Sequence, residues 1–496
     1  MTKPVSKADT IDNTNFHKLF IGGQWVAPAT DRLLDVVSPF TEEVVFQVAE
    51  AAIEDIDAAV DAAHHAFKSG PWPRMTPLER AKILGVFATT LRRRSKDFAT
   101  AWTESTGVIT SMSDNSLEYA VTAVDRSIEQ AASFPFIEKH APENGGNLLV
   151  HEPVGVVAAI APWNAPLASM LTKVGPALIA GCTIIMKPAP QTPVEAYLIA
   201  ECAQASGFPP GVINLVTAER EASDYLVRHA DVDKVSFTGS VATGQHIASV
   251  CADRIARVTL ELGGKSAAVV LDDYDLKTAA DDLASGITVL SGQNCAALTR
   301  VIVSRKRHDE FVEHLVAAME KITIGEPYDS QTQLGPITMK SQLERIESYI
   351  AKGVAEGAIL ATGGKRPAHL TQGFYIEPTV FAHVENSMIV AREEIFGPVL
   401  CVIPCDDEAD AIRIANDSPY GLNGSVYTND NAKAYEIARQ LRSGTVGQNG
   451  TKASFAISFG GFGQSGLGRE GGLKGLLPYL EPKTVMLNEE PAGLFS

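Results

Sequence analysis

Between residues 154 and 263 the chain alternates five short β-rich runs with amphipathic helical stretches, and no other feature restricts its fold as tightly. The runs are "VGVVAAIA", "CTIIMK", "GVINLV", "DKVSFT" and "ARVTLEL", with helices expected from Leu167, Pro193, Arg220 and Val241. Apolar strands separated by crossover helices predict a parallel sheet covered on both faces. A doubly wound sheet of this kind binds its ligands outside the carboxyl ends of the strands. The fold class read here is therefore α/β, with a Rossmann-like first sheet.

With 496 residues the chain exceeds a single hydrophobic core. A second α/β stretch runs from about 264 to 460. It holds the helix "LKTAADDLASGITVLSG", the strand "TRVIVS", and helices near 308–321 and 338–356. Strands follow at "YIEPTVF", "PVLCVIP" and "GSVYT", with "EADAIRIAND" and "NAKAYEIARQLRSG" as helices between them. Ahead of the alternating region lie the short strands "LFIGGQWV" and "DVVSPFTEEVVFQVAE" and three helical stretches. Those stretches are "IEDIDAAVDAAHHAFKSG", "PLERAKILGVFATTLRRRSKDFATAWTESTG" and "NSLEYAVTAVDRSIEQAASF".

A formal charge of −17 argues against nucleic acid or an anionic membrane surface as partner, since both select basic patches. The six cysteines are scattered, without C-x-x-C or zinc-ligand spacing, so no metal is expected and the thiols read as reduced. The amino terminus lacks a signal peptide's apolar core, and "VGVVAAIAPW" is about half a membrane span. The expectation is a cytoplasmic protein.

Near the carboxyl end, "GFGQSGLG" spells G-x-G-x-x-G through Gly461, Gly463 and Gly466. The fingerprint requires a strand before it and a helix after it, and neither is evident here. One turn does meet the condition. "DKVSFT" runs into "TGSVATG" and then the helix "QHIASVCAD". Gly239 permits a tight turn, Ser240 can cap the helix, and the free N–H groups face any pyrophosphate. Lys187 closes the second strand, at the ligand-binding edge.

Cys295, in "SGQNCAALTR", lies in a polar loop, unlike the other five cysteines. Glu261 ends the fifth strand in "LELGGKS", where a carboxylate can serve as general base. Asn164, in "APWNAP", follows the first strand and offers an amide to an oxyanion. "REEIFGPV" supplies Glu393, Glu394 and Phe396 before a strand. Taken singly, each has a plainer reading: a core cysteine, a capped turn, a surface lysine, a solvated acidic loop.

Together, "APWNAP", "KPAPQTP", "FTGS", "LELGGKS", "GQNC", "EEIFGPV" and "SGLGREGG" occur in the order and spacing of the NAD(P)-dependent aldehyde dehydrogenase superfamily, which the chain resembles from "LFIGGQWV" to "EPKTV". The resemblance implies that Cys295 attacks the aldehyde carbonyl. Asn164 and the Cys295 N–H would then hold the oxyanion. After hydride transfer, Glu261 would activate water against the thioester, with Lys173 and Glu470 in the catalytic set and Glu470 relaying protons. It implies Lys187 at the adenosine ribose, Ser240 at the pyrophosphate, and Glu394 with Phe396 at the nicotinamide ribose. Ile160, Pro162, Trp163, Pro190, Gly239, Leu262 and Gly263 complete the cofactor set, and Glu261 belongs to it as well. The substrate pocket would be lined by Ala165, Ser169, Thr172, Asn294, Ala296, Phe455 and Phe459.

Many members carry a glutamate three residues after the lysine, where this chain has Pro190 and thus no carboxylate there to repel a 2′-phosphate; NAD is favoured, with NADP tolerated. Small side chains at Ala165, Ser169 and Thr172 leave room for a bulky or hydrophobic aldehyde. The presence of Glu261 favours the hydrolytic reaction over acyl transfer to coenzyme A. The alternatives are a semialdehyde dehydrogenase, for which "NAPLASMLTK" and "NCAAL" offer no clear arginine or aromatic cage, and a catalytically silent structural relative, against which the presence of both Cys295 and Glu261 argues. The resemblance divides the chain into a dinucleotide-binding domain (1–131 and 153–263), a catalytic domain (264–465) and oligomerisation elements (132–152 and 478–496). "FIEKHAPENGGNLLVHEPVG" is similar to the family's oligomerisation hairpin, and "LEPKTVMLNEE" to a strand pairing with it across subunits. A homodimer or homotetramer is expected.

Overall fold

The computed structural model describes residues 6–140 and 146–489. Residues 1–5 of the amino terminus, 141–145 of the expected hairpin and 490–496 of the expected tail element lie outside the described residues. All five expected strands form, as Val156–Ile160, Thr183–Lys187, Ile213–Leu215, Lys234–Thr238 and Arg257–Glu261. Among themselves these five strands pair in parallel. The expected helices form between them as Pro166–Ala180, Val194–Gln204, Arg220–Arg228 and Val241–Asp253.

Alternation of side chains across the pleat divides the core in two. Val157, Ala159, Ile184 and Met186 pack with the Pro166–Ala180 and Val194–Gln204 helices. Val156, Ala158, Ile160 and Ile185 face the opposite way and pack with the Arg220–Arg228 and Val241–Asp253 helices.

Strand order fixes where a ligand can enter. From Val156–Ile160 the chain steps outward through Thr183–Lys187 to Ile213–Leu215, then returns to place Lys234–Thr238 and Arg257–Glu261 on the other side. The order reverses between Val156–Ile160 and Lys234–Thr238, so a crevice opens at their carboxyl ends. The Leu19–Ile21 and Gln24–Val26 hairpin extends one edge of this sheet.

A second sheet of seven strands follows, centred on Leu298–Ser304 and Ser266–Val270. Ser266–Val270 was not legible, because its short apolar run follows the strand ending at Glu261 after only four residues. Ile359–Thr362 and Thr445–Gln448 are similarly short, and the strand expected at "YIEPTVF" forms only from Thr379, ending at Ala382. The stretch "PLERAK…STG" is two helices, Pro77–Arg93 and Ser95–Thr106, broken at Arg94.

Two features of the carboxyl end matter for the site. The "GFGQSGLG" stretch is a loop with a single tight turn, Gly463–Ser465, and no helix follows it directly. It returns Gly466–Leu467 antiparallel to Leu260–Glu261, on the edge of the first sheet. Next, Leu480–Leu487 pairs antiparallel with Gly146–Pro153, which also pairs with Ile137–His140. This corrects the expectation that the tail pairs across subunits: its partner is the hairpin of its own chain. The Val154 N–H donates to the Tyr479 carbonyl (3.0 Å), so the tail starts at the foot of that hairpin. Among the described residues, no helix is long and apolar enough to cross a membrane.

Candidate active site

At the carboxyl ends of the first sheet's strands lies a cavity of about 450 Å³, and its lining is mostly apolar. It brings together residues far apart in sequence: Pro162, Asn164, Glu261, Asn294, Cys295, Ala296 and Glu470. Ala165, Ser169, Phe455 and Phe459 also line it. The Phe455 and Phe459 rings pack at 4.8 Å between centroids.

Thr172 does not line this cavity, contrary to expectation. It is buried one helical turn beyond Ser169, where its hydroxyl donates to the Ser169 carbonyl (2.9 Å) and meets Glu470 Oε2 (3.3 Å). The outer wall comes from residues that sequence reading passed over, chiefly Trp102, Met112 and Tyr119 on the helices Ser95–Thr106 and Thr110–Ser133. Those helices carry an ordinary amphipathic pattern, and no local signal marks these positions.

Cys295 is half-buried and reaches the cavity, whereas the other five cysteines are fully buried. The segment before it is tightly constrained, with Leu290, Ser291 and Gly292 all left-handed. The Ser291 hydroxyl donates to the Gly335 carbonyl (2.9 Å), and the Thr338 N–H donates to the Gln293 side chain (3.0 Å). Asn164 Nδ2 donates to the Gln293 carbonyl (2.8 Å), and Trp102 Nε1 donates to the Asn164 carbonyl (3.0 Å). One hydrogen of the Asn164 amide is thus committed, which sets the plane of the other. Burial, then the charges of Glu394 and Glu261, push the Cys295 thiol up to about 12.

Glu261 ends its strand with both carboxylate oxygens buried and without a hydrogen-bond partner among the described residues. Such an arrangement favours the neutral acid. Burial and the neighbouring Glu470 hold it well above the usual carboxylate range, against the pull of Lys173 and Arg469. Its Oε1 lies over Gly460, where a Cβ would come within 2.4 Å. Beside it, buried Lys173 contacts Glu470 Oε1 (2.5 Å) and donates to the Thr238 hydroxyl (2.6 Å).

The other side of the crevice collects the remaining residues. Ser240 caps the Val241–Asp253 helix, its Oγ accepting from the Thr243 N–H (3.3 Å). A Cβ at Gly239 would lie 2.5 Å from the Phe237 ring. Tyr349 donates to Glu393 (2.5 Å), whereas Glu394 accepts from the Gly264 N–H (3.0 Å). Glu394 lies so close to Gly263 that a Cβ there would meet it at 2.2 Å. Burial raises Glu394 to about 7, opposed by the Gly264 N–H and Lys265. Phe396 is left-handed, and its ring packs edge-on against Trp163 at 5.2 Å.

Lys187 is buried rather than displayed on the surface, and its ammonium makes no hydrogen bond or ion pair among the described residues. Burial lowers it to about 8, with Glu219 opposing. Pro190 is half-buried nearby in the chain, and the side chains of Ile160 and Leu262 belong to the core beneath the crevice.

The chain is similar to known proteins over nearly its whole length. The sequence profile of the aldehyde dehydrogenase family matches residues 25–485. A geranial dehydrogenase of Castellaniella defragrans is 38% identical over 486 residues, covering 96% of this chain and 99% of the relative. An aldehyde dehydrogenase of Mycobacterium tuberculosis, solved with NAD+, superimposes with a TM-score of 0.93 at 41% identity, covering 97% of this chain and 99% of its own. A variant of aldehyde dehydrogenase C from Pseudomonas syringae, solved with NAD+ and octanal, also gives 0.93, at 38% identity, covering 98% and 99%.

Proposed function

The chain belongs to the aldehyde dehydrogenase family and oxidises aldehydes to carboxylic acids, and we propose that its substrates are bulky or hydrophobic aldehydes, oxidised with NAD through a covalent bond to Cys295. One observation carries the reading: a single, mostly apolar cavity of about 450 Å³ exposes Cys295, Glu261 and Asn164 together. Such a volume lies within the range of sites that enclose small organic ligands. The octanal bound by the Pseudomonas syringae relative and the geranial named for the Castellaniella relative support the same substrate class.

The residues present fit a dinucleotide. Among the described residues Lys187 is a buried ammonium lacking a partner, Ser240 opens a helix whose Val241 and Ala242 N–H groups are left for phosphate, and Gly263 leaves the space Glu394 occupies. In this reading Lys187 and Ser240 hold the adenosine ribose and pyrophosphate, and Glu394 and Phe396 hold the nicotinamide ribose. When bound, the nicotinamide supplies the acceptor for the substrate's hydride.

The chain's own groups do the rest. The Cys295 thiol is neutral at rest and must lose its proton before its sulfur bonds the carbonyl carbon. That proton passes to solvent in the open cavity, and Glu261, which lines the same cavity and whose charge reaches that sulfur, does its base work in the second half of the reaction. As the carbonyl oxygen becomes an oxyanion, the uncommitted Asn164 N–H and the Cys295 N–H stabilise it. Once the adduct is an acyl thioester, Glu261 takes a proton from water, the water oxygen bonds the acyl carbon, and the carbon–sulfur bond breaks. The acid leaves and sulfur is free again. The Glu470–Lys173 pair beside Glu261 receives and returns the proton. Hydrolysis, not transfer to coenzyme A, is the outcome this base supports.

The two sheets support a dinucleotide-binding unit within 1–131 and 153–263 and a catalytic unit over 264–465. The ribbon of Ile137–His140, Gly146–Pro153 and Leu480–Leu487 supports self-association as a homodimer or homotetramer, since few of its side chains are buried and Met486 is strongly exposed. The cytoplasm is the compartment that suits six unpaired cysteines.

An aldehyde panel tests the reading. Octanal, benzaldehyde and citral are expected to give higher kcat/KM than acetaldehyde, and the product to be the free acid with coenzyme A present. A preference for acetaldehyde over all three refutes the substrate class, and an acyl-coenzyme A product refutes hydrolysis. Cys295→Ala should abolish turnover while leaving dinucleotide binding intact.

A further inference from the structure

Pro190 leaves no carboxylate three residues beyond Lys187, but the neighbouring strand supplies one. Thr183–Lys187 and Ile213–Leu215 are parallel neighbours, and the Val216 N–H donates to the Met186 carbonyl (3.0 Å). The chain beyond Val216 is tied down. Thr217 donates its hydroxyl to the Ala49 carbonyl, and its own carbonyl accepts from the Ala51 N–H (2.7 Å). The Ser223 hydroxyl meets the carbonyls of Ala218 (3.2 Å) and Glu219 (2.7 Å). Glu219 is thereby held at the carboxyl edge of the sheet, on the strand tip next to that of Lys187.

Its side chain is unused. Glu219 precedes the helix Arg220–Arg228 as its cap residue, yet its carboxylate does not cap it. The side chain is exposed and makes no hydrogen bond or ion pair among the described residues. Lys187, buried on the adjacent tip, makes none either. Among the described residues, Glu219 is nevertheless the charged group whose field acts on Lys187. A donor-only ammonium and an acceptor-only carboxylate therefore stand near each other without touching.

A ligand that accepts from one and donates to the other suits that gap. The vicinal hydroxyls of a ribose do both. A 2′-phosphate has mostly lost its last proton at neutral pH and sets up to two negative charges beside the carboxylate. Resting on the cofactor reading above, we infer that Glu219 is a specificity-determining residue that, with Lys187, receives the adenosine ribose hydroxyls and excludes a 2′-phosphate, so that the chain selects NAD over NADP despite Pro190. The opposing cation is Arg220, exposed at the first position of the same helix. If it dominates the subsite, the selectivity reverses.

Calorimetric titration of NAD+ and NADP+ into the free enzyme and into Glu219→Gln tests this without turnover. The wild type should bind NAD+ about tenfold more tightly or better, and the variant should shrink the ratio about tenfold through weaker NAD+ and stronger NADP+ binding. The probes 5′-AMP and 2′,5′-ADP, which lack the nicotinamide half, should repeat the change and locate it at the adenosine ribose. Raising ionic strength should narrow the wild-type ratio more than the variant's. A variant ratio within about twofold of the wild type, or a wild type that binds NADP+ as tightly as NAD+, overturns the role of Glu219 alone. Failure of the wild type to bind either dinucleotide overturns the cofactor reading, and this inference with it.

Discussion

Gly460→Ala asks how much the reaction depends on where Glu261 rests. The added Cβ would lie 2.4 Å from Glu261 Oε1, 2.8 Å from Arg469 Cδ and 3.1 Å from the Gly468 carbonyl. Ordinary contact begins at 3.4 Å, so the carboxylate must retreat by about 1 Å, the difference between 3.4 and 2.4 Å. A misplacement of about 1 Å at a reacting group costs roughly 100-fold in rate. The backbone is also left-handed at φ +145°, which adds about 1–3 kcal/mol of strain once a side chain is present. Glu261 acts on the acyl thioester, so the damage should fall after cofactor reduction. Stopped-flow absorbance should show a burst near one reduced cofactor per site, followed by a steady state about 100-fold slower than wild type. Intact-protein mass should reveal the accumulated acyl-enzyme. Glu261→Gln should give the same burst with a deeper loss. Gly468→Ala serves as the control, because it too is left-handed (φ +84°) but its Cβ meets only Thr259 at 3.3 Å. It should lower the melting temperature without changing the burst. A Gly460→Ala steady state within about threefold of wild type, against the roughly 100-fold expected, together with a lowered melting temperature, would refute the reasoning.

Burial, then Glu394 and Glu261, hold the Cys295 thiol at about 12 in the free enzyme. Iodoacetamide alkylation should therefore accelerate roughly tenfold per pH unit between 7 and 10, and Glu394→Gln should speed it at fixed pH. A rate independent of pH contradicts this. Glu195 is buried, neither of its oxygens has a hydrogen-bond partner among the described residues, and burial raises it from 4.5 to about 8. The unfolded chain ionises this group from about pH 4.5 while the folded chain keeps the proton to about pH 8, so stability drains away as pH climbs through that window. Glu195→Gln should raise the melting temperature by an increment that grows from about pH 5 to pH 8, with an upper bound of about 5 kcal/mol. An increment that shrinks with pH rejects the assignment. Lys173→Met leaves Glu470 buried without its 2.5 Å partner and should cost about 3–5 kcal/mol in denaturant unfolding. Lys173→Met with Glu470→Leu should recover most of that loss, and strict additivity would exclude the coupling.

Local chemistry made much of this protein readable in one dimension. The alternation of β-rich runs and helices located all five parallel strands, and the strand-to-helix turn at Gly239 and Ser240 was legible because a cap depends on residues three apart. Cys295 stood out by its polar loop, and Glu261 by its place at a strand end before two glycines. Periodicity and capping act over a few residues, so they survive without the fold. What required three dimensions was the company each residue keeps. Thr172 shares a helix with Ser169 but turns to Glu470 instead of the cavity. The tail strand pairs with its own hairpin, because Tyr479 meets Val154 at its foot. Trp102, Met112 and Tyr119 wall the pocket from helices whose pattern reads as ordinary surface and core. Lys187 and Glu219 become neighbours only because two parallel strands lie side by side, and Glu261 meets Gly460 only because the chain returns to the sheet's edge. These meetings are decided by strand order and by which elements fill the space between the sheets, and neither quantity is written in any short stretch of residues.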